Sequence, residues 1–488
     1  MLAQLKSLTR DSAIYGVGHI ASRLLTFLLL PYYSFHLSPA EYGEMTLYFL
    51  FTALVQTFFW YGLDIAYLRY FTLAKEPEKR RIVSGTTLLT SFISTAVLSL
   101  LIFLAARPLG ALIVHSPANA ELVPGFVRLC AGILFFDTLS TYPFLFLRGS
   151  HRPKRFTAVK IFNVCVNVSL NIWFVGHLDL SIAGILWANL IASALTLVVL
   201  LPSMLRNITI KVDRELVKEM VRFGIPNVPT YLFVMVIELA DRKVIELYRG
   251  LAEAGLYSAG YKLGMFMAVV TGAFRFAWQP FFLSHSDRPD APRLFARVLT
   301  YYLLVTTSLF LVMTFFVDAV IKTKWPGVGY IIAPQFWAGL SVFPIILLAH
   351  VFDGVYANLM VGIYLKKLTA KLPAVTGVAA LFTIVFCILL VPPYGMMAAA
   401  WITLAAFFLE AVMLWLVVRK AYPVPYEWAR IAKLGVACTV VLAAGLFTGM
   451  NAPWQRALIL LFFPVILYVL GFLDERERFH LRKLLPAG

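Results

Sequence analysis

The sequence predicts an all-α polytopic membrane protein of about fourteen transmembrane helices, arranged as two pseudo-symmetric six-helix bundles followed by two further helices. Three observations carry this. Of the 488 residues, 61% are hydrophobic and 14% charged, and the mean hydropathy is +0.82; soluble domains carry roughly 25% charged residues. Apolar runs long enough to cross a bilayer, about 20 residues each, recur from end to end. The stretch "LSPAEYGEMTLYFLF" at Leu37 is echoed downstream by "LAEAGLYSAGYKLG" at Leu251.

The expected spans are 12–36, 43–71, 84–105, 121–147, 157–176, 180–204, 220–241, 252–281, 298–320, 335–363, 371–391, 395–418, 430–449 and 457–473. The first follows "MLAQLKSLTR" and is long, without the small-residue ending of a cleaved signal, so it reads as a membrane helix. Before the second, Ser38, Pro39 and Glu41 spell a capping box with proline at the first helical position. The seventh opens with "GIPNVP", and Gly250 precedes the eighth as a tolerated cap. An even number of spans puts both termini on one side. Lys and Arg concentrate there, in "AKEPEKRR", "RGSHRPKRF", "RNITIKVDRELVK", "SDRPDAPRLFAR", "LKKLTAK", "RKAYPVPYEWARIAK" and "DERERFHLRK". The opposite loops hold few: Arg107, Arg242, Lys243, Arg249, Lys322, Lys324 and Arg456. The positive-inside rule makes the rich side cytoplasmic. Much of the formal charge of +17 is therefore topology and attraction to anionic headgroups, and no nucleic-acid partner is expected.

The loops are short, and no GxxxxGK[ST], HExxH or GxSxG motif occurs, so no catalytic residue is assigned. The "NVS" at Asn167 falls within a span and "NIT" at Asn207 in an expected cytoplasmic loop, so neither marks glycosylation. The four cysteines, Cys130, Cys165, Cys387 and Cys438, are dispersed in apolar runs and predict no disulfide framework and no metal site.

Ala40, Glu41, Gly43 and Thr46 align with Ala252, Glu253, Gly255 and Ser258, a separation of 212 residues. The same offset brings "GSHRPKRF" near "GIYLKKLTAKL" and "IAGILWANL" near "PYGMMAAAW". The implied units are 1–210, 211–422 and 423–488: two bundles in the same orientation, and a two-helix appendix. Repeats of this kind accompany alternating access, with the site between the halves.

With "SAIYGVGHIASRLLTFLLLPYYSFHLSPAEYGEMTLYFLF" at its start and "RFGIPNVPTYLFVMVIELADRK" leading into "AEAGLYSAGYKLG", the chain resembles the polysaccharide (O-antigen type) flippases of the multidrug/oligosaccharidyl-lipid/polysaccharide transporter superfamily. The features of the major facilitator family, a G-x-x-x-D-R-x-G-like loop and a long central loop, are missing. The resemblance implies a MATE-like fold in a bacterial cytoplasmic membrane. It implies an undecaprenyl-pyrophosphate-linked oligosaccharide as cargo, flipped outward for surface polysaccharide assembly, with polymerase machinery as a downstream partner. No cofactor is implied; coupling to a proton or sodium gradient is an open expectation.

Charged residues within the spans are costly, roughly 2.5–3.5 kcal/mol each at the bilayer centre, and so need a partner or water. Arg23, near the middle of the first span, is the leading candidate for holding a pyrophosphate, since the guanidinium fork binds two oxygens at once. A buried pair with Asp64 that locks helices is its structural alternative. Lys262, Arg275 and Arg128 complete the substrate-binding candidates; Arg69 and Arg128 also lie where they can snorkel. Asp64 and Arg275 occupy near-equivalent places in the two halves, a candidate gating pair. Glu238 and Asp241 share a face of the seventh span and, with Asp353, are candidates for ion coupling; Glu410 is a weaker one, and Asp137 is a further in-span carboxylate. Pro31, Pro226 and Pro229 are candidate hinges. Asn163, Asn167 and Asn171 form one polar stripe, read first as interhelical hydrogen bonding. Two other cargoes stay open: a drug or cation, exchanged by an antiporter of the same superfamily, and a peptidoglycan precursor. A membrane-bound glycan polymerase or ligase is the alternative of another class, but it needs a sizeable external loop that the sequence lacks.

Overall fold

The computed structural model describes residues 27, 29–115, 117, 119–209, 212–326, 329–447, 453–474 and 477. These residues are helical almost throughout, without a strand apart from one isolated bridge, Trp325 to Gly329. In chain order the helices are α1 (Leu29–His36), α2 (Pro39–Trp60), α3 (Leu63–Leu73), α4 (Pro77–Leu104), α5 (Ala106–Ile113), α6 (Val123–Gly149), α7 (Pro153–Asn171), α8 (Ser181–Leu205), α9 (Arg214–Gly224), α10 (Val228–Arg249), α11 (Leu251–Gly264), α12 (Phe266–His285), α13 (Ala291–Lys322), α14 (Phe343–Leu365), α15 (Leu372–Val418), α16 (Trp428–Phe447) and α17 (Pro453–Val469).

Among the described residues ten helical stretches are long and apolar enough to cross a membrane, and eleven if the bent pair α2–α3 is one span. Three places separate this from fourteen. Most of the first expected span lies outside the described residues. The eleventh and twelfth are one continuous element, α15, whose helical backbone is interrupted at Gly395 (φ 60°, ψ −146°) just after Pro392 and Pro393. The last apolar helix, Trp454–Val469, is short.

The burial pattern is that of a protein whose solvent is lipid. On α4 the hydroxyl residues Ser84, Thr86, Ser91 and Thr95 are buried, while Phe92, Ile93, Val97, Leu100 and Leu104 are exposed. In water this would invert the hydrophobic effect; in a bilayer, small polar residues belong between helices and large apolar ones outside. The chain is a multi-pass membrane protein.

Its backbone contacts divide it into two compact units. Unit 1 comprises Met1–Leu263, Ile332–Val342 and Ala370–Glu410; unit 2 comprises Gly264–Ile331, Phe343–Thr369 and Ala411–Gly488. In unit 1, α2 starts on the expected capping box: the Glu41 N–H donates to Ser38 Oγ (3.2 Å) and the Ser38 N–H to Glu41 Oε2 (2.9 Å). It ends at Trp60, and the left-handed Tyr61 (φ 35°) and Gly62 (φ 77°) turn the chain by 43° into α3. Gly62 also touches Gly224: a Cβ there would lie 2.2 Å from the Gly224 carbonyl oxygen. Tyr67, Phe71, Tyr142, Met204 and Met220 pack beside this turn.

In unit 2, Trp278, Phe282 and Phe295 belong to one buried cluster. Its last described residues are tied down by charge. Arg430 Nη2 donates to Glu477 (2.9 Å) and Nη1 to Glu427 (3.2 Å), while Arg297 reaches Asp474 (3.0 Å) and the Tyr301 hydroxyl donates to Glu477. Burial pushes the Glu477 carboxyl up, but the Tyr301 hydroxyl, the Asp474 N–H and the Arg430 guanidinium outweigh it and hold the group below its ordinary value. A depressed folded-state value stabilises above the unfolded value, about 4.3 for glutamate, and that contribution is lost as the pH falls through the folded one. The protection of residues 470–474, taken relative to the intrinsic amide exchange rate at each pH, should therefore fall on acidification below about pH 4.3, and the Glu477→Gln variant should be poorly protected at neutral pH with little further change in acid.

Candidate functional site

A polar cavity of about 430 Å³ opens among α2, α6, α7 and α8 in unit 1. Its lining includes Gln56, Asp137, Lys160, Asn163, Asn167 and Asn189. Each helix contributes for a local reason. On α7, Lys160, Asn163 and Asn167 recur at three- and four-residue spacing, which is one helical face. On α6, Asp137 and Thr141 repeat that spacing, and the Thr141 hydroxyl donates to the Asp137 carbonyl (3.0 Å). Ser193 stands beside the Asp137 carboxylate, and Lys160 is its charged neighbour. The Lys160 ammonium sits 4.3 Å from the centre of the Phe144 ring, a cation–π contact that positions the amine without neutralising it. Gln56 donates to Thr138 (2.8 Å), and Asn163 to Thr196 (2.8 Å). The result is a surface on which amides and hydroxyls stand among apolar side chains, with Lys160 and Asp137 as its ionisable groups.

The asparagine stripe thus has two functions. Asn163 binds across to α8, and Asn171 is fully buried, accepting from the Tyr33 hydroxyl at 2.7 Å; that is the expected interhelical role. Asn163 and Asn167 also face the cavity. Lys160 escaped the sequence reading because it stands only three residues into the fifth expected span, beside the basic run "RPKRF". Its spacing to Asn163 and Asn167 is the signal that would have found it.

A second polar centre in unit 1 lies where α10, α11 and α15 meet. Asp241 is fully buried. Its Oδ1 accepts from the Arg242 N–H (2.8 Å) and Nη1 (3.1 Å), and its Oδ2 accepts from Thr403 Oγ1 (3.2 Å) and from the Tyr257 hydroxyl. Arg242 also donates to the Glu238 carbonyl (2.5 Å) and lies 4.2 Å from the centre of the Tyr261 ring. The sequence places Arg242 in an external loop; in the structure it is inside α10 and buried, because Asp241 beside it supplies the counter-charge.

The remaining candidates are dispersed. Arg23 lies outside the described residues. Asp64 is half-buried in the first turn of α3, and Arg69 stacks on Phe223 at 4.2 Å. Lys262 is half-buried, with its amine 6.0 Å from the Tyr33 ring centre. Arg128 is exposed over Phe103 at 5.2 Å. In unit 2, Arg275 pairs with Asp353 at 2.6 Å, joining a substrate-binding candidate to an ion-coupling candidate. Pro31 lies within α1, Pro226 in the Ile225–Asn227 turn, and Pro229 in the first turn of α10. Near a helix start a proline removes an N–H that has no intrahelical partner.

Two helical units in a lipid-adapted chain, with polar centres buried among the helices, define the class of fold. It is similar to that of solved MATE and MurJ structures. A structure of the lipid II flippase MurJ in an inward closed conformation matches with a TM-score of 0.73 over 94% of this chain and 98% of that one, at 13% identity. An inward-facing multidrug resistance MATE family transporter of the MOP superfamily matches with 0.69 over 82% and 97%, at 14% identity. At such identities the likeness establishes the fold. The family is established separately: the chain belongs to the polysaccharide biosynthesis protein family, whose model matches residues 8–285. An uncharacterized membrane protein of Haemophilus influenzae is 40% identical over 65 residues; the match spans 13% of this chain and 16% of that protein's length.

Proposed function

We propose that the protein is a flippase that carries an undecaprenyl-pyrophosphate-linked oligosaccharide across the bacterial cytoplasmic membrane by alternating access. The observation that carries this is the cavity lined by Gln56, Lys160, Asn163, Asn167 and Asn189. A hydrated sugar head needs hydrogen-bonding partners to replace water as it crosses, and amides and hydroxyls supply both donors and acceptors. The Lys160 ammonium suits the anionic linkage. The lipid tail needs no protein channel, since the exposed apolar faces of the helices are compatible with acyl chains. Family membership and the MurJ-like fold support a transporter in place of a catalyst. Both termini on the cytoplasmic side, the two repeat-related bundles 1–210 and 211–422, hinging at Pro31, Pro226 and Pro229, and gradient coupling through Asp64, Glu238, Asp241 or Asp353 are parts of the same proposal.

The test is transport in sealed proteoliposomes, with a fluorescent lipid-linked glycan scored by its accessibility to an external lectin. The wild type should move it, and Lys160→Met should slow movement about tenfold, the factor that a lost interaction of 1.4 kcal/mol produces, with an unchanged melting midpoint. No movement by correctly oriented wild-type protein overturns the proposal. The Asp137 carboxylate in the same cavity favours a second reading, the antiport of a cation. Ethidium exchange abolished by Asp137→Asn, with no glycan movement, would establish that reading instead.

A further inference from the structure

A separate cavity of about 870 Å³ is framed by α5 and the first turns of α6. Two guanidiniums line it, those of Arg107 and Arg128. Both side chains are exposed, and neither makes an ion pair among the described residues. Two like charges at one cavity repel each other, and Glu121 is the one acidic residue in the lining. Arginine is the side chain best shaped to share phosphate oxygens, so an anion held between the two would replace repulsion with paired hydrogen bonds.

The surroundings say what kind of anion. Leu122 in the lining and Phe103 beneath Arg128 are exposed, as are Leu104 and Leu112 on the flanking turns of α4 and α5. The cup is basic and its neighbourhood is lipid-facing. A free phosphate would leave that apolar surface unused, whereas a phosphorylated lipid would cover both. The Phe103 ring holds the Arg128 guanidinium at 5.2 Å, so the cation is positioned at the boundary between the two surfaces.

The rim is also fastened to a distant helix. The His115 N–H donates to Glu246 Oε1 at 2.6 Å, and Lys243 Nζ donates to the Ile113 carbonyl at 3.0 Å and to Glu246 Oε2 at 2.7 Å. Both anchors lie on α10, two turns or less beyond the buried Asp241–Arg242 centre. Whatever occupies the cup touches a loop whose position is set by that helix.

We propose that this cup binds the phosphate or pyrophosphate group of an anionic membrane lipid. The group comes either from the polyprenyl carrier or from bulk phospholipid. The inference requires a membrane-embedded chain but not a flippase, so it stands or falls apart from the transport assay.

The test uses the full-length protein in nanodiscs and three photoreactive lipids: a polyprenyl pyrophosphate, a phosphatidylglycerol and an uncharged diacylglycerol. The charged probes should label peptides within 106–128 at least fivefold more than the diacylglycerol. Arg107→Gln with Arg128→Gln should remove that excess, and the double lysine variant should retain part of it. A stronger signal from the pyrophosphate assigns the cup to the carrier; a stronger signal from phosphatidylglycerol assigns it to bulk lipid. Equal labelling by all three probes, or labelling that persists in the double glutamine variant, overturns the proposal. Both side chains are exposed, so an unchanged melting midpoint should confirm that the variant is folded.

Discussion

Gly255→Ala should destabilise the protein by about 3 kcal/mol, the upper end of overpacking costs. A Cβ at Gly255 would lie 1.8 Å from the Pro39 carbonyl oxygen and 2.9 Å from the Gly43 amide nitrogen. In return, a Cβ at Gly43 would lie 2.1 Å from the Leu251 carbonyl oxygen. All three obstacles are backbone atoms in the first turns of α2 and α11, so no rotamer change relieves them. The starts of the two helices touch through the faces that glycine leaves bare. Small residues allow such approach in membranes, where packing replaces the hydrophobic drive. The check is thermal unfolding in detergent, with Gly435→Ala as the comparison: nothing lies within 4 Å of a Cβ there, so that variant should match or slightly exceed wild type. The Gly43→Ala and Gly255→Ala effects should be strongly non-additive, because one contact is damaged in both. A wild-type midpoint for Gly255→Ala would show that the helices move apart at little cost.

This pair shows what the sequence could and could not reveal. Gly43 and Gly255 align in the 212-residue repeat, and both were legible as positions near a helix start. That the two copies meet each other was not legible, because the repeat gives equivalence and contact is a separate fact. Glu41 and Glu253 diverged in the same way. Glu41 closes its capping box as expected. Glu253 does not fold back on Gly250; it accepts from Arg249 Nε (3.0 Å) and from the Met396 N–H (2.7 Å) beside the break at Gly395. Local chemistry fixed the first, and a helix 143 residues away captured the second. The apolar spans were readable because hydropathy is a property of each run alone. Lys160 was passed over and Arg242 misplaced because basic residues near span ends look alike in sequence; only their neighbours, Phe144 for one and Asp241 for the other, decide whether they turn inward.

Asp241→Ala should cost about 3–5 kcal/mol, the usual penalty for leaving a buried charge without its partner. The Arg242 side chain is 6% exposed and its ion-pair partner is Asp241, so truncation leaves the cation against the Tyr257 and Tyr261 rings with Glu238 as its remaining acidic neighbour. Replacing both charges, as Asp241→Ala with Arg242→Met, should recover much of the loss, since a buried pair is often no more stable than an apolar substitute. The double-mutant cycle therefore measures coupling and not net worth. Asp241→Asn separates structure from transport. It keeps an oxygen for the Tyr257 and Thr403 hydroxyls while removing the charge, so it should fold with a smaller loss than alanine. If Asp241 serves gradient coupling, Asn should abolish the response of glycan movement to an imposed proton or sodium gradient while leaving downhill movement measurable. If the pair only locks α10 to α11 and α15, Asn should lower the melting midpoint and leave the gradient response intact. Measuring both on one preparation decides between a lock and a coupling site.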